Sequence, residues 1–260
     1  MRPILFIVLF AGMLLSGCEK VIELKLDNSN PVLVIDGGIN DQNENQVVKI
    51  SKTYSFTEPN KFNGVSEAKV VVTRPNGSTV TYTEVSPGVY QSVKTRGVPS
   101  NKYILNVTVD GKIYTATSTM PAKVVLDSLT FKQFNLFGKL STYIAVNYND
   151  PVDAVNQYRY ILKAKGKIEE DMVSDDRFNN GNKVADAIFY KLEDLKQGDS
   201  LAVEFQCVDP NVYRYFYSLK QSSGQAGPPV APSNPISNFN NGALGIFNAY
   251  TTSKRTAVIK

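Results

Sequence analysis

From residue 31 onward, apolar and polar positions alternate with a period of two, in short β-branched and aromatic runs separated by turn residues. Val32–Ile35, Gln46–Ser51, Ala68–Arg74, Thr79–Glu84, Val89–Val93, Lys102–Val109 and Lys112–Thr119 each read as a strand. In Lys102–Val109 the alternation puts Tyr103, Leu105, Val107 and Val109 on the core face, with Asn106 and Thr108 outside. Asn76-Gly77 and Asp110-Gly111 supply the positive φ that two-residue hairpin turns need. So many short strands within residues 31–119 predict a β-sandwich.

Met120-Pro121-Ala122 breaks the pattern, because proline cannot donate to a sheet ladder, and marks the expected domain boundary. A second set of strands follows at Val124–Phe134, Leu140–Asn149, Tyr158–Lys165, Ala187–Leu192, Leu201–Val208, Leu244–Tyr250 and Arg255–Ile259. One helix interrupts them, opened by Asp209 as N-cap with Pro210 at its first position, and running to about Ser223 before Gly224. Its Tyr213, Phe216, Tyr217 and Lys220 share one side, expected to pack on the second sheet. Gln225–Ser237, rich in Pro, Ser and Gly, reads as a long surface loop. The predicted architecture is all-β: two tandem immunoglobulin- or fibronectin-like β-sandwich domains, residues 31–119 and 123–260, the second with one inserted α-helix near 210–223.

The first 30 residues follow a different pattern. Met1-Arg2 precedes an apolar stretch from Ile4 to Leu15, which ends at Ser16-Gly17-Cys18. Such a stretch rises about 18 Å as a helix, too short for a hydrocarbon core of about 30 Å, so residues 1–17 read as a signal peptide. Leu15-Ser16-Gly17-Cys18 matches the lipobox of bacterial lipoproteins, in which the cysteine thiol is acylated with diacylglycerol after export. Cys18 is therefore the expected lipidation site, and more than one acyl chain there would make the anchor permanent. Residues 18–30 form the expected tether.

Composition narrows the functions available. The chain has no histidine and no tryptophan, which removes His-based triads, His-ligated zinc and imidazole acid–base chemistry. Net charge is only +4, with both signs mixed along the chain, so no basic stripe is available for nucleic acid. With Cys18 acylated, Cys207 is the remaining thiol of two, and an internal disulfide is impossible. Cys207 shares a strand face with Leu201, Val203 and Phe205, as an inert core cysteine would.

Candidate chemistry is sparse. The Asp/Asn-rich segment Glu169–Asn182 offers oxygen ligands, but Phe178 stands at a ligand position of the calcium-loop spacing and Ala187 where the bidentate Glu belongs. It reads as a solvated hairpin loop. Ser66-Glu67-Ala68-Lys69 has a Ser-x-x-Lys spacing, but it leads into a strand that turns the two side chains to opposite faces. A carboxylate hydrolase would need two of Asp171, Asp175, Asp176, Glu193 and Asp194 to converge about 5 to 10 Å apart. No catalytic residue, cofactor site or metal ligand is assigned, and the expectation is a non-enzymatic module.

Several segments together resemble a known family. They are Cys18-Glu19-Lys20-Val21-Ile22-Glu23, Pro31-Val32-Leu33-Val34-Ile35-Asp36-Gly37, Ile50-Ser51-Lys52-Thr53, Met120-Pro121, Val125-Leu126-Asp127-Ser128-Leu129 and Asn241 through Tyr250. In that order and spacing the chain resembles the Bacteroidota lipoproteins built on a domain of unknown function, DUF4249. The resemblance implies an outer-membrane lipoprotein, lipid-anchored and displayed at the cell surface, with the periplasmic face as the alternative. It also implies a TonB-dependent outer-membrane receptor as partner, the protein acting as accessory or ligand-binding module in nutrient uptake. A free-standing envelope adhesin or structural glycan-binding lipoprotein is the alternative. Acidic residues after the lipidated cysteine favour surface export in that phylum, and Glu19 and Glu23 fit that pattern loosely.

Overall fold

The computed structural model describes residues 30–54, 61–136, 138–190, 192, 195–222 and 234–259. The chain divides into two units, Met1–Asn30 with Ser55–Glu58, and Pro31–Tyr54 with Pro59–Lys260; all elements below belong to the second. The leader, Cys18 and most of the Gln225–Ser237 loop lie outside the described residues.

The described residues form fourteen strands and one helix, an all-β fold. The first seven strands are β1 (Leu33–Asn40), β2 (Glu44–Lys52), β3 (Lys69–Thr73), β4 (Thr79–Ser86), β5 (Val89–Thr95), β6 (Asn101–Val109) and β7 (Lys112–Met120). Then come β8 (Ser128–Leu136), β9 (Lys139–Asn149), β10 (Gln157–Ala164), β11 (Lys167–Asp175), β12 (Lys183–Ile188) and β13 (Ser200–Val208), followed by α1 (Pro210–Ser222) and β14 (Leu244–Val258). Eleven strands make one sheet in the order β11-β10-β13-β14-β1-β2-β5-β4-β3-β6-β7, and β12-β9-β8 make a second.

The long strand β14 joins the two halves of the large sheet. Its first part pairs in parallel with β1, from Val34 with Leu244 to Asn40 with Tyr250. Its second part pairs antiparallel with β13, from Cys207 with Thr251 to Ser200 with Val258. The sequence reading splits this strand at residues 251–254, but Thr251 and Thr252 are buried and hold the ladder, as β-branched residues can.

Two large cores result. The first gathers Ile35, Ile50, Val72, Tyr90, Leu105 and Val107 with Phe239, Phe247 and Ala249 from the chain's last segment. Tyr103, Leu105, Val107 and Val109 are all buried, while Asn106 and Thr108 retain partial exposure, as the alternation requires. β7 packs back on β14, where the Ala249 N–H donates to Ser118 Oγ at 2.9 Å. The second core lies between β9 and β12 of the small sheet and β10 and β13 of the large one. Phe205 is its centre, with ring centroids 4.9, 5.1 and 5.6 Å from Tyr148, Tyr158 and Tyr160. The tyrosines bury their rings and still find partners for their hydroxyls. The Tyr148 and Tyr160 hydroxyls lie 3.0 Å apart, Tyr160 donates to Asp186 at 3.1 Å, and Tyr158 donates to Asp150.

The helix starts where its cap predicts. Asp209 Oδ1 accepts the N–H groups of Asn211 and Val212 at 2.8 and 3.0 Å. Tyr213 donates to Asp175 at 3.0 Å, Lys220 pairs with Glu170, and Phe216 carries the Arg159 guanidinium 3.5 Å above its ring. The aromatic side of α1 thus rests on β10 and β11.

Other expected elements differ as well. Glu169–Asn182 is not one loop: Lys167–Asp175 is strand β11, and only the following residues turn. β12 ends at Ile188, four residues earlier than the expected strand. β1 continues through Asp36-Gly37-Gly38 to Asn40, beyond the expected end at Ile35. A Cβ on Gly37 would stand 2.9 Å from Val48 Cγ2, so glycine there allows close packing within the strand.

Candidate functional site

The hairpin loops at one end of the first core enclose a cleft. β1, β3 and β5 run in one direction and β2, β4 and β6 in the other, so the β1–β2, β3–β4 and β5–β6 connections share that end. They enclose an open cleft of about 510 Å³ lined by Asn43, Arg74, Pro75, Asn76, Lys94, Thr95, Arg96, Val98, Asn101 and Tyr103. Three of these residues are cations and none is acidic.

Each wall of the cleft is fixed locally. Pro75 presets the first corner of the β3–β4 turn, and the Gly77 N–H donates to the Arg74 carbonyl at 3.0 Å. Only Gly77 takes a positive φ, +79°, so the turn is wider than the two-residue form expected from Asn76-Gly77. Asp110-Gly111, by contrast, takes positive φ at both residues, 50° and 76°, as a two-residue turn requires. In the β5–β6 connection the Gly97 N–H donates to the Asn40 carbonyl at 2.6 Å. The buried Tyr103 hydroxyl accepts the Val98 N–H, also at 2.6 Å.

The cations are held differently. The Arg74 guanidinium donates through Nη2 to Thr95 Oγ1, while its Nε is buried without a partner. Lys94 and Arg96 flank the buried Thr95 and are exposed. Glu44, opposite Thr95 in the ladder, is engaged by the Asn40 amide at 2.7 Å.

A second polar region lies where two widely separated resemblance segments, Pro31–Gly37 and Asn241–Tyr250, meet. Asp36 and Gly37 of β1 stand beside Ile246 and Phe247 of β14. On the side facing α1, Arg159 donates through Nε to Asp171 at 2.7 Å, and its Nη1 lies 3.5 Å from Gln206 Oε1. The Asn248 amide also reaches Gln206 Oε1 at 3.5 Å, and its own Oδ1 is buried without a partner. This network ties four neighbouring strands, β11, β10, β13 and β14, beneath the helix.

The described candidates from sequence are each tied into the fold. Cys18, Glu193 and Asp194 lie outside the described residues. Asp171 is paired with Arg159, and Asp175 with Arg177 and Tyr213. Burial would raise the Asp175 carboxyl, but those two partners hold it below its ordinary range. Asp176 is buried and accepts the Asn156 N–H at 2.6 Å. Cys207 is buried, its Sγ accepts the Val124 N–H at 3.3 Å, and burial pushes its thiol up. Among the described residues no group of three acidic or cysteine side chains is placed to hold a metal ion.

The cleft residues were not visible as a set in the sequence. Arg74 is an ordinary residue before a turn, and Lys94-Thr95-Arg96 an ordinary strand end. They meet because β4 returns between β3 and β5, which only the sheet order shows.

A fold of β-strands around two cores with one capped helix defines a domain class rather than an activity. The chain belongs to the family described as Domain of unknown function (DUF4249), which matches residues 19–256. Among solved structures it is similar to a DUF4785 family protein from Legionella pneumophila, at 12% identity over 68% of this chain and 52% of that one, with a TM-score of 0.25. It is also similar to the adhesin InvE of Yersinia pseudotuberculosis, at 18% identity over 68% and 55%, with a TM-score of 0.22. The chain thus spans about half the length of these structures. No curated protein matches it.

Proposed function

We propose that the protein is a lipoprotein held at the outer membrane through acylated Cys18, a non-enzymatic accessory or ligand-binding module that partners a TonB-dependent transporter in nutrient uptake. The observation that carries this reading is the junction at Cys18. The family match begins at Glu19, the residue after Cys18, which supports reading residues 1–17 as a cleaved leader and Cys18 as the acylated first residue. The recognition surface is the loop end of the first core, because loops on a rigid scaffold can vary for binding while the sheet holds them.

The test is recovery of the native protein from detergent-solubilised outer membranes with its bound partners, using Cys18→Ser as the unanchored control. A TonB-dependent receptor recovered with the native form, and depleted with the variant, is the expected outcome. Recovery of no receptor with the anchored form contradicts the accessory reading.

A second reading, a free-standing glycan-binding envelope protein, is favoured by one feature. Phe134, Tyr143 and Phe189 gather with ring centroids 5.5 to 6.3 Å apart, and Phe189 is 60% exposed, an aromatic surface on which a sugar ring could stack. Binding of the purified protein to envelope polysaccharide, lost in Phe189→Ala, would support it; no binding would exclude it.

A further inference from the structure

We propose that the cleft between the β1–β2, β3–β4 and β5–β6 connections is an anion site for a small molecule carrying two or more carboxylate or phosphate groups. The inference rests on the reading of this loop end as the recognition surface and adds the chemistry of what it holds.

Exposed lysines and arginines are usually just solvated, so cationic residues on a surface are not in themselves a site. Three features separate this cluster from that case. First, Arg74, Lys94 and Arg96 line one cleft whose other lining residues include no carboxylate, and no ion pair joins any of the three to a carboxylate among the described residues. The carboxylate nearest in the ladder, Glu44, is turned to Asn40.

Second, Arg74 is not a free surface cation. Its guanidinium is tied to Thr95 through Nη2, and its Nε is shut off from water without a partner. The Tyr82 hydroxyl, which feels the Arg74 charge, is also buried unpartnered. A guanidinium stays charged at any physiological pH, so a partly dehydrated one without a counter-charge is costly until an anion reaches it.

Third, the walls are preorganised. Pro75 and the Gly77 bond fix the β3–β4 turn, while Tyr103 and the Asn40 carbonyl pin the β5–β6 connection. Little ordering is left for a ligand to impose. Asn43, Asn76 and Asn101 add amide groups suited to hydroxyls between the charges, and the cleft volume of about 510 Å³ is within the range of small-ligand pockets. Planar guanidinium groups and an ammonium together match carboxylate or phosphate oxygens.

Such groups can come from a free acid or sugar phosphate, or from a lipid headgroup, and the experiment separates the two. The full chain is titrated calorimetrically with citrate, with inorganic pyrophosphate, and with vesicles containing phosphatidylglycerol, the last read as the difference from neutral phosphatidylcholine vesicles, which an acyl anchor enters equally. A parallel titration uses the double variant Lys94→Gln/Arg96→Gln, whose exposed side chains can be changed without touching a core. Arg74→Lys, which keeps the charge but loses the planar fork, is the third protein.

At least one of the anions should bind, with affinity falling tenfold or more in the double variant and falling again as salt is raised and the charges are screened. Arg74→Lys should lose part of the affinity while melting within a few degrees of the native protein. Binding of citrate or pyrophosphate assigns a free anion, and binding of vesicles alone assigns a headgroup. No binding in any arm, or binding indifferent to the double variant, overturns the proposal. Receptor recovery measured on the same proteins reports on the accessory reading separately: its absence with the native chain leaves the anion result standing, and its presence does not rescue a failed titration.

Discussion

Asp209 serves two elements with one carboxylate. Oδ1 caps α1, while Oδ2 accepts the Ser118 hydroxyl and the Thr119 N–H, the latter at 3.0 Å. The cap was legible because Asp-Pro before a helical run has a local cause. The tie to β7 was not, since its partners lie 90 residues away. Asp209→Ala should cost about 2 to 4 kcal/mol, a lost cap plus buried groups left unpaired, read as a lower urea midpoint at unchanged slope. Asp209→Asn, whose side-chain oxygen can still cap, should cost less. Asp41 gives a pH-dependent counterpart. Burial would raise its carboxyl, but Lys123 at 2.7 Å, Gln42 and the Thr252 N–H hold it below the ordinary 3.8. A lowered folded pKa stabilises the fold above the ordinary value, and that contribution fades as pH falls through the lowered one. Below about pH 4, Asp41→Asn should therefore show a flatter acid loss of stability than the native protein in denaturation series.

At the scale of elements, strands with a buried face were legible and strands without one were not. β6 shows its apolar alternation, buried at Tyr103, Leu105, Val107 and Val109. β11 is a sheet edge with Lys167, Glu169, Glu170, Asp171 and Asp175 along it, charges that discourage pairing with other chains and hide the strand from hydrophobic periodicity. β14 was broken in two because Thr251, Thr252, Ser253 and Lys254 are polar, although the first two are buried in the ladder. Its continuity has a direct test. Thr252→Pro removes the N–H that donates to Asp41 at 2.9 Å and should destabilise the fold by about 1 to 3 kcal/mol, whereas Thr252→Val should keep that bond and cost little. Chemical denaturation of the two variants side by side separates the backbone effect from the side-chain effect.

The second unit is organised around β14, which contributes Phe247 and Ala249 to the first core and pairs through its second part with the strand carrying Phe205 and Cys207 of the other. Damage in one core should therefore be felt in the other. Phe205→Ala, which empties the centre of the tyrosine cluster, should cost about 3 to 5 kcal/mol and raise hydrogen exchange in β1 and β3 as well as in β10 and β13. Faster exchange confined to β10 and β13 would show that the cores unfold independently. The proposed anion cleft belongs to this scale as well: nothing in the local sequence marks its three cations, and their meeting depends on a sheet order that no local pattern encodes.

The rest of the functional account rests on the proposed anchor, and intact-mass analysis of the mature protein from its native membrane tests it most directly. The account predicts a chain that begins at Cys18, heavier than its sequence by a diacylglyceryl group and any further acyl chain, with Cys18→Ser unmodified and released from the membrane. An unmodified Cys18, or a mature chain that begins elsewhere, would contradict it.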